Sequence, residues 1–91
     1  VPDDLYDVCQ FFVDEQYEYV RRNVTAKEAV DAAIHYSTSV GAQFGTTVRV
    51  IITDKGDSIA WEWKREEGII FPPEAVEASK PVGGLKYGRR R

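Results

Sequence analysis

The stretch "TTVRVIITDKGDSIAWEWKR", residues 46 to 65, constrains the fold more than any other. Two runs rich in β-branched and aromatic residues flank a polar cluster, which is the pattern of a β-hairpin. With Lys55 and Gly56 as a two-residue turn, Ile52 faces Ile59, Val50 faces Trp61 and Val48 faces Trp63, all on one side. Arg49 then faces Glu62, and Thr47 faces Lys64, on the other side. A three-residue loop would mix the two sides, because a slip of one residue turns every side chain over. Paired tryptophans on a strand can also form a platform for stacked bases. Here they share their side with four aliphatic residues, so a core role under packed helices is expected. The opposite side of the hairpin carries no aromatic residue, which argues against a platform there.

Upstream lies "DLYDVCQFFVDEQYEYVRR", residues 4 to 22. On a helical wheel Leu5, Val8, Cys9, Phe12, Val13, Tyr19 and Val20 share an arc of about 140°, the width of a core-facing stripe. Pro2, Asp3 and Asp4 suit the first turn of a helix, and Arg21 and Arg22 suit its last. The spacing therefore predicts helix 1 over residues 5 to 22. Phe11 falls off the stripe, among Asp7, Asp14, Glu15 and Glu18. Cover by the proline-containing segment at residues 72 to 81 is one explanation. An aromatic anchor ringed by charge, as at an interface hot spot, is another.

A second helix is predicted from the capping box Thr25-x-x-Glu28, which satisfies two backbone donors reciprocally. Ala26, Ala29, Val30, Ala33, Ile34, Ser37, Val40, Gly41 and Phe44 share one face of it, and Gly45 ends it. "GIIF", residues 68 to 71, reads as a short edge strand stopped by Pro72 and Pro73. The expected fold is α+β in the order α-α-β-β-β, two N-terminal helices packed on one face of a small antiparallel meander. Residues 1–73 would form this single two-layer domain. Residues 74–91 would form an irregular basic tail containing proline and glycine, flexible from Pro81 onward.

Catalysis has little material to work with. The chain has one histidine and one cysteine, so no disulfide pair, metal cluster or cofactor site is expected. A lone buried thiol fits a reducing, cytoplasmic setting. No apolar run approaches the roughly 18 residues that span a bilayer, so no membrane partner is expected. Asp31, His35 and Ser39 are the residue types of an acid–base–nucleophile set, spaced four apart. On one exposed helix face, successive members lie about 6 Å apart along the axis, with no pocket or oxyanion hole. Asp31 and His35 are expected to form only a surface pair.

Charge is more informative. The net charge of −3 conceals six acids and no base in residues 1–20, against five bases and no acid in residues 80–91. Such asymmetry bears on partners. The expected function is that of a small non-enzymatic protein-binding regulator or inhibitor. Asp7, Phe11, Asp14, Glu15 and Glu18 on acidic helix 1 would contact a partner with a basic surface. Acidic domains that present carboxylates in place of phosphates, as small viral and mobile-element inhibitors do, are a special case. The alternative is a nucleic-acid-associated protein using Lys86, Tyr87, Arg89, Arg90 and Arg91 on phosphates. The same basic tail could instead pair with acidic helix 1 of another copy, giving a homo-oligomer.

Overall fold

The computed structural model describes residues 4–79. Strands β1 (Tyr6–Phe12) and β2 (Tyr17–Val24) are followed by helices α1 (Ala26–Ser37) and α2 (Val40–Gln43). Strands β3 (Thr47–Thr53), β4 (Ile59–Lys64) and β5 (Gly68–Phe71) come next, then helix α3 (Pro73–Ser79). All five strands join one antiparallel sheet in the order β2-β1-β3-β4-β5.

Helix 1 and the order α-α-β-β-β are therefore corrected, since the chain runs β-β-α-α-β-β-β-α. Residues 5 to 22 hold no alanine and are crowded with tyrosine, phenylalanine and valine, which suit a pleated, half-buried surface. The interrupting residues 13–16 make the turn. Phe12 N–H donates to Gln16 O and Glu15 N–H to Phe12 O, while Asp14 Oδ1 accepts from Gln16 N–H. Glu15 takes a positive φ of 73° there. Val13, assigned to the buried stripe of the wheel, is exposed at this turn. Pairing settles the matter: β1 is bonded on both sides, to β2 and to β3.

The β3–β4 hairpin forms in a different register, and two residues leave their predicted faces: Ile59 lies opposite Thr53, and Thr47, expected on the outer side, is buried and donates to Gln10 Oε1. Ile52 pairs with Trp61 and Val50 with Trp63, a shift of two residues from the expected pairing. The loop spans residues 54–58, longer than two residues, because Asp54 Oδ1 accepts from both Gly56 N–H and Ser58 N–H. Asp57, at φ 64°, completes the reversal. A shift of two preserves the side that Val50, Ile52, Trp61 and Trp63 face, while a bulge between Ile52 and Thr53 sets Ile59 opposite Thr53 on the outer side and Ala60 toward the core.

The predicted second helix is split. Its capping box is present: Glu28 N–H donates to Thr25 Oγ1 at 3.2 Å and Thr25 N–H to Glu28 Oε1 at 3.0 Å. The helix then stops after Ser37, where Thr38 Oγ1 donates to Ile34 O. Ser39 begins a new turn by accepting from Ala42 N–H. Hydroxyl side chains competing for backbone partners account for the break. It turns Val40 and Phe44 outward, to exposed positions. The face buried against the sheet is Ala29, Ala32, Ala33 and Ser37, rotated from the predicted one.

The core joins these alanines to Val8, Val50, Ile52 and Trp61. Small alanine side chains let α1 lie close to the sheet. α1 packs across β1, β2 and β3, whereas α3 packs on β5. The core role expected of Trp61 is thus observed, while Trp63 is half-buried. Residues 74–79, placed by the sequence at the start of the tail, are helical, within α3. The tail beyond them lies outside the described residues.

Candidate functional site: the uncovered face of the sheet

Side chains alternate across a strand, so the residues between the core positions point away from the helices. On β1 these are Asp7, Cys9 and Phe11, and on β3 Arg49, Ile51 and Thr53, their direct partners. β4 adds Glu62 opposite Ile51 and Lys64 opposite Arg49. β2 adds Tyr17 opposite Phe11 and Tyr19 opposite Cys9. Among the described residues no helix packs on this face.

Long side chains lie across it instead, in a strip running over four strands. The Phe11 ring is 5.8 Å from that of Tyr17, which meets Tyr19 edge-on at 6.1 Å. Arg49 Cζ stands 5.0 Å from the Phe11 centroid and Arg22 Cζ 4.2 Å from that of Tyr19, both within cation–π range. Arg49 Nε donates to Glu62 Oε2 at 2.6 Å. These groups shield Cys9, which is only 3% exposed, and burial pushes its thiol pKa up. Tyr17 and Tyr19 remain 61% and 44% exposed.

At one end of the strip sits the buried carboxylate of Asp7. It accepts from Asn23 N–H at 2.9 Å, Lys55 Nζ at 3.1 Å and Arg22 at 3.5 Å. Burial alone would raise its pKa. The backbone donor and the two cations outweigh that and hold it below the usual carboxylate value.

The five residues assigned to an acidic helix surface do not form one. Asp7 and Phe11 share the uncovered face. Asp14 and Glu15 are in the β1–β2 turn. Glu18 pairs with Gln10 on the helix-bearing side, where its Oε1 accepts from Gln10 Nε2, and Gln10 Oε1 accepts from the buried Thr47 hydroxyl. Asp31 is engaged by Lys27 Nζ at 2.8 Å, not by His35, whose ring instead abuts Tyr36 edge-on. Ser39 donates to Tyr36 O. Lys86, Tyr87, Arg89, Arg90 and Arg91 lie outside the described residues.

The sequence reading placed Arg49 and Glu62 together on the outer side of the hairpin but missed that Tyr17, Tyr19 and Arg22 share that surface. The available signal was Phe11 itself: a residue that fits no helical stripe fits an alternating strand. Among the described residues no group of three or more metal-ligating side chains occurs, and no helix is long and apolar enough to cross a membrane. No protein-family model, curated protein or solved structure matches the chain.

Proposed function

We propose that this chain is a non-enzymatic binding module that engages a protein partner through the uncovered face of its sheet. The observation carrying this reading is the strip Tyr19–Tyr17–Phe11–Arg49, three aromatic rings and a stacked guanidinium held in mutual contact. Tyrosine and arginine are the residues that most often anchor protein interfaces, and rings fixed by neighbours lose little entropy on binding. Charge gives the nucleic-acid alternative only partial support on this face: Arg49 is paired with Glu62, and Arg22 and Lys55 share the single carboxylate of Asp7, so most of its cations already hold an acidic partner.

A photo-crosslinking residue at Tyr17 in the intact protein, used in a native lysate with and without nuclease, tests both readings. Attachment to one protein that persists after nuclease, and that is lost on Tyr19→Ala, supports the proposal. Attachment that disappears with nuclease, or with replacement of Arg89, Arg90 and Arg91, overturns it in favour of nucleic acid.

A further inference from the structure

The uncovered face is built in rows, because residues opposite one another in an antiparallel sheet stand on the same side. One row runs Tyr19–Cys9–Ile51–Glu62–Phe71 across all five strands, and the next runs Tyr17–Phe11–Arg49–Lys64–Gly68. A third holds Asp7, Thr53 and Ile59. β3 lies at the centre of the strand order, and the two halves beside it are unlike. Rings stand up on the β1–β2 half. The β4–β5 half holds a hollow of about 350 Å³ walled by Ile59, Glu62, Ile70 and Phe71. Ile59 and Phe71 are 37% and 42% exposed there.

The two halves complement each other. Lay a second copy face to face with the first, related by a two-fold axis along β3. β1 then comes over β4 and β2 over β5, so each row meets itself reversed. Tyr19 comes over Phe71 at the rim of the hollow, where the Glu62 carboxylate can accept from a tyrosine hydroxyl. Tyr17 comes over Gly68, where an added Cβ would meet nothing within 4 Å, so the ring has room. Phe11 comes over Lys64, a cation–π pairing. Ile51 meets its own copy on the axis. So does Arg49, each guanidinium already held by Glu62.

Charge and area favour the same occupant. Among the described residues Lys64 has no carboxylate partner, and Asp14 and Glu15 have no cation. The β1–β2 turn that carries these acids lies just beyond Phe12, the last residue of β1. The two-fold therefore brings Lys64 of each copy to the acidic end of the other's β1. Five strands about 4.8 Å apart and three rows about 7 Å apart make a face of roughly 500 Å² in plan. Side-chain relief carries its accessible area toward the roughly 800 Å² per partner of a specific interface.

We infer that a second copy of this chain is the partner of the uncovered face, the two sheets packed face to face about a two-fold axis along β3. The inference rests on the reading of that face as a binding surface. An isologous interface needs a self-complementary patch, which these rows supply. Sheets stacked in this way lie about 10 Å apart.

The test uses the purified full chain. Sedimentation should give twice the chain mass, and Ile59→Asp should reduce it to that of one chain with an unchanged circular dichroism spectrum. A photo-crosslinking residue at Tyr17, in a mixture of isotopically light and heavy chains, should join unlike chains and attach within residues 59–71. Lys64→Glu and Glu15→Lys should each weaken the dimer, and an equal mixture of the two variants should restore it, since every reversed charge then meets its opposite. A single-chain mass, with Tyr17 attaching in lysate to a different protein, overturns the second copy and leaves the binding face standing. A single-chain mass with no attachment to any protein overturns both. A dimer that survives Ile59→Asp and Tyr19→Ala together uses another surface and overturns the inference. Links from Tyr17 to Tyr17 of the other copy overturn the two-fold arrangement, and links to residues 80–91 of the same chain make that segment the occupant instead.

Discussion

Arg49 and Glu62 are joined at 2.6 Å although they do not face each other in the sheet. Arg49 lies opposite Lys64, and Glu62 opposite Ile51. The guanidinium reaches diagonally across the β3–β4 seam while its Cζ stands over the Phe11 ring of β1. One side chain thus ties three strands on a face that, among the described residues, no helix covers. Its carboxylate partner is 12% exposed, so this is no freely solvated surface pair.

Arg49→Ala should therefore cost about 1–2 kcal/mol in urea unfolding, more than the usual exposed pair. Arg49→Lys should restore little of it, because a point charge cannot make the directed bond and stack on the ring together. A lysine variant as stable as the original would show that the ring contact contributes nothing.

Asp7 makes stability depend on acid. Its folded pKa is depressed, so its contribution is fully present above the ordinary carboxylate value of about 3.9 and is lost as pH falls through the lower folded value. Asp7→Asn should flatten the acid limb of a stability-against-pH curve. At neutral pH it should cost about 1–3 kcal/mol by leaving Lys55 and Asn23 poorly matched. An unaltered acid limb would assign that limb to other carboxylates.

Trp61 and Tyr17 should behave oppositely. Trp61→Ala opens the core between Val8, Ile52 and the helix alanines and should cost about 3–5 kcal/mol. For so small a domain that is a large share of the total. Thermal unfolding followed by circular dichroism would register it as a marked drop in midpoint.

Tyr17→Ala with Tyr19→Ala, in contrast, removes exposed rings and should change stability by no more than about 1 kcal/mol. If these rings anchor a partner, the same pair of changes should abolish co-purification of the protein that the crosslink identifies, while the circular dichroism spectrum stays that of the original. Loss of fold alongside loss of binding would make the rings structural.

Local signals were legible in the sequence and long-range ones were not. The Thr25–Glu28 box depends on four consecutive residues, and it appears as read. The shared side of Val50, Ile52, Trp61 and Trp63 was legible because alternation survives a register shift of two, whereas the bulge that turns Ile59 outward was not. The shift itself arises from Asp54, whose side chain organises a longer loop than Lys55-Gly56 alone implies. Residues 5 to 22 failed because their apolar positions satisfy a helical arc by coincidence of two strands and a turn. What decides between the two is the pairing of Val8 with Ile52, forty-four positions away. The candidate face failed with it, since Tyr17, Tyr19 and Arg49 become neighbours only once that pairing exists.

That pairing also has a kinetic consequence. Every neighbouring pair in the strand order is consecutive along the chain except β1 and β3. The sheet is thus two locally closed units, a hairpin and a three-stranded meander, joined along one distant seam. Closing that seam carries the chain-entropy cost of the long connection through α1 and α2. The seam should be the slow step. Val8→Ala, on it, should lower the folding rate in stopped-flow experiments, whereas Ile69→Ala on the edge strand β5 should chiefly raise the unfolding rate.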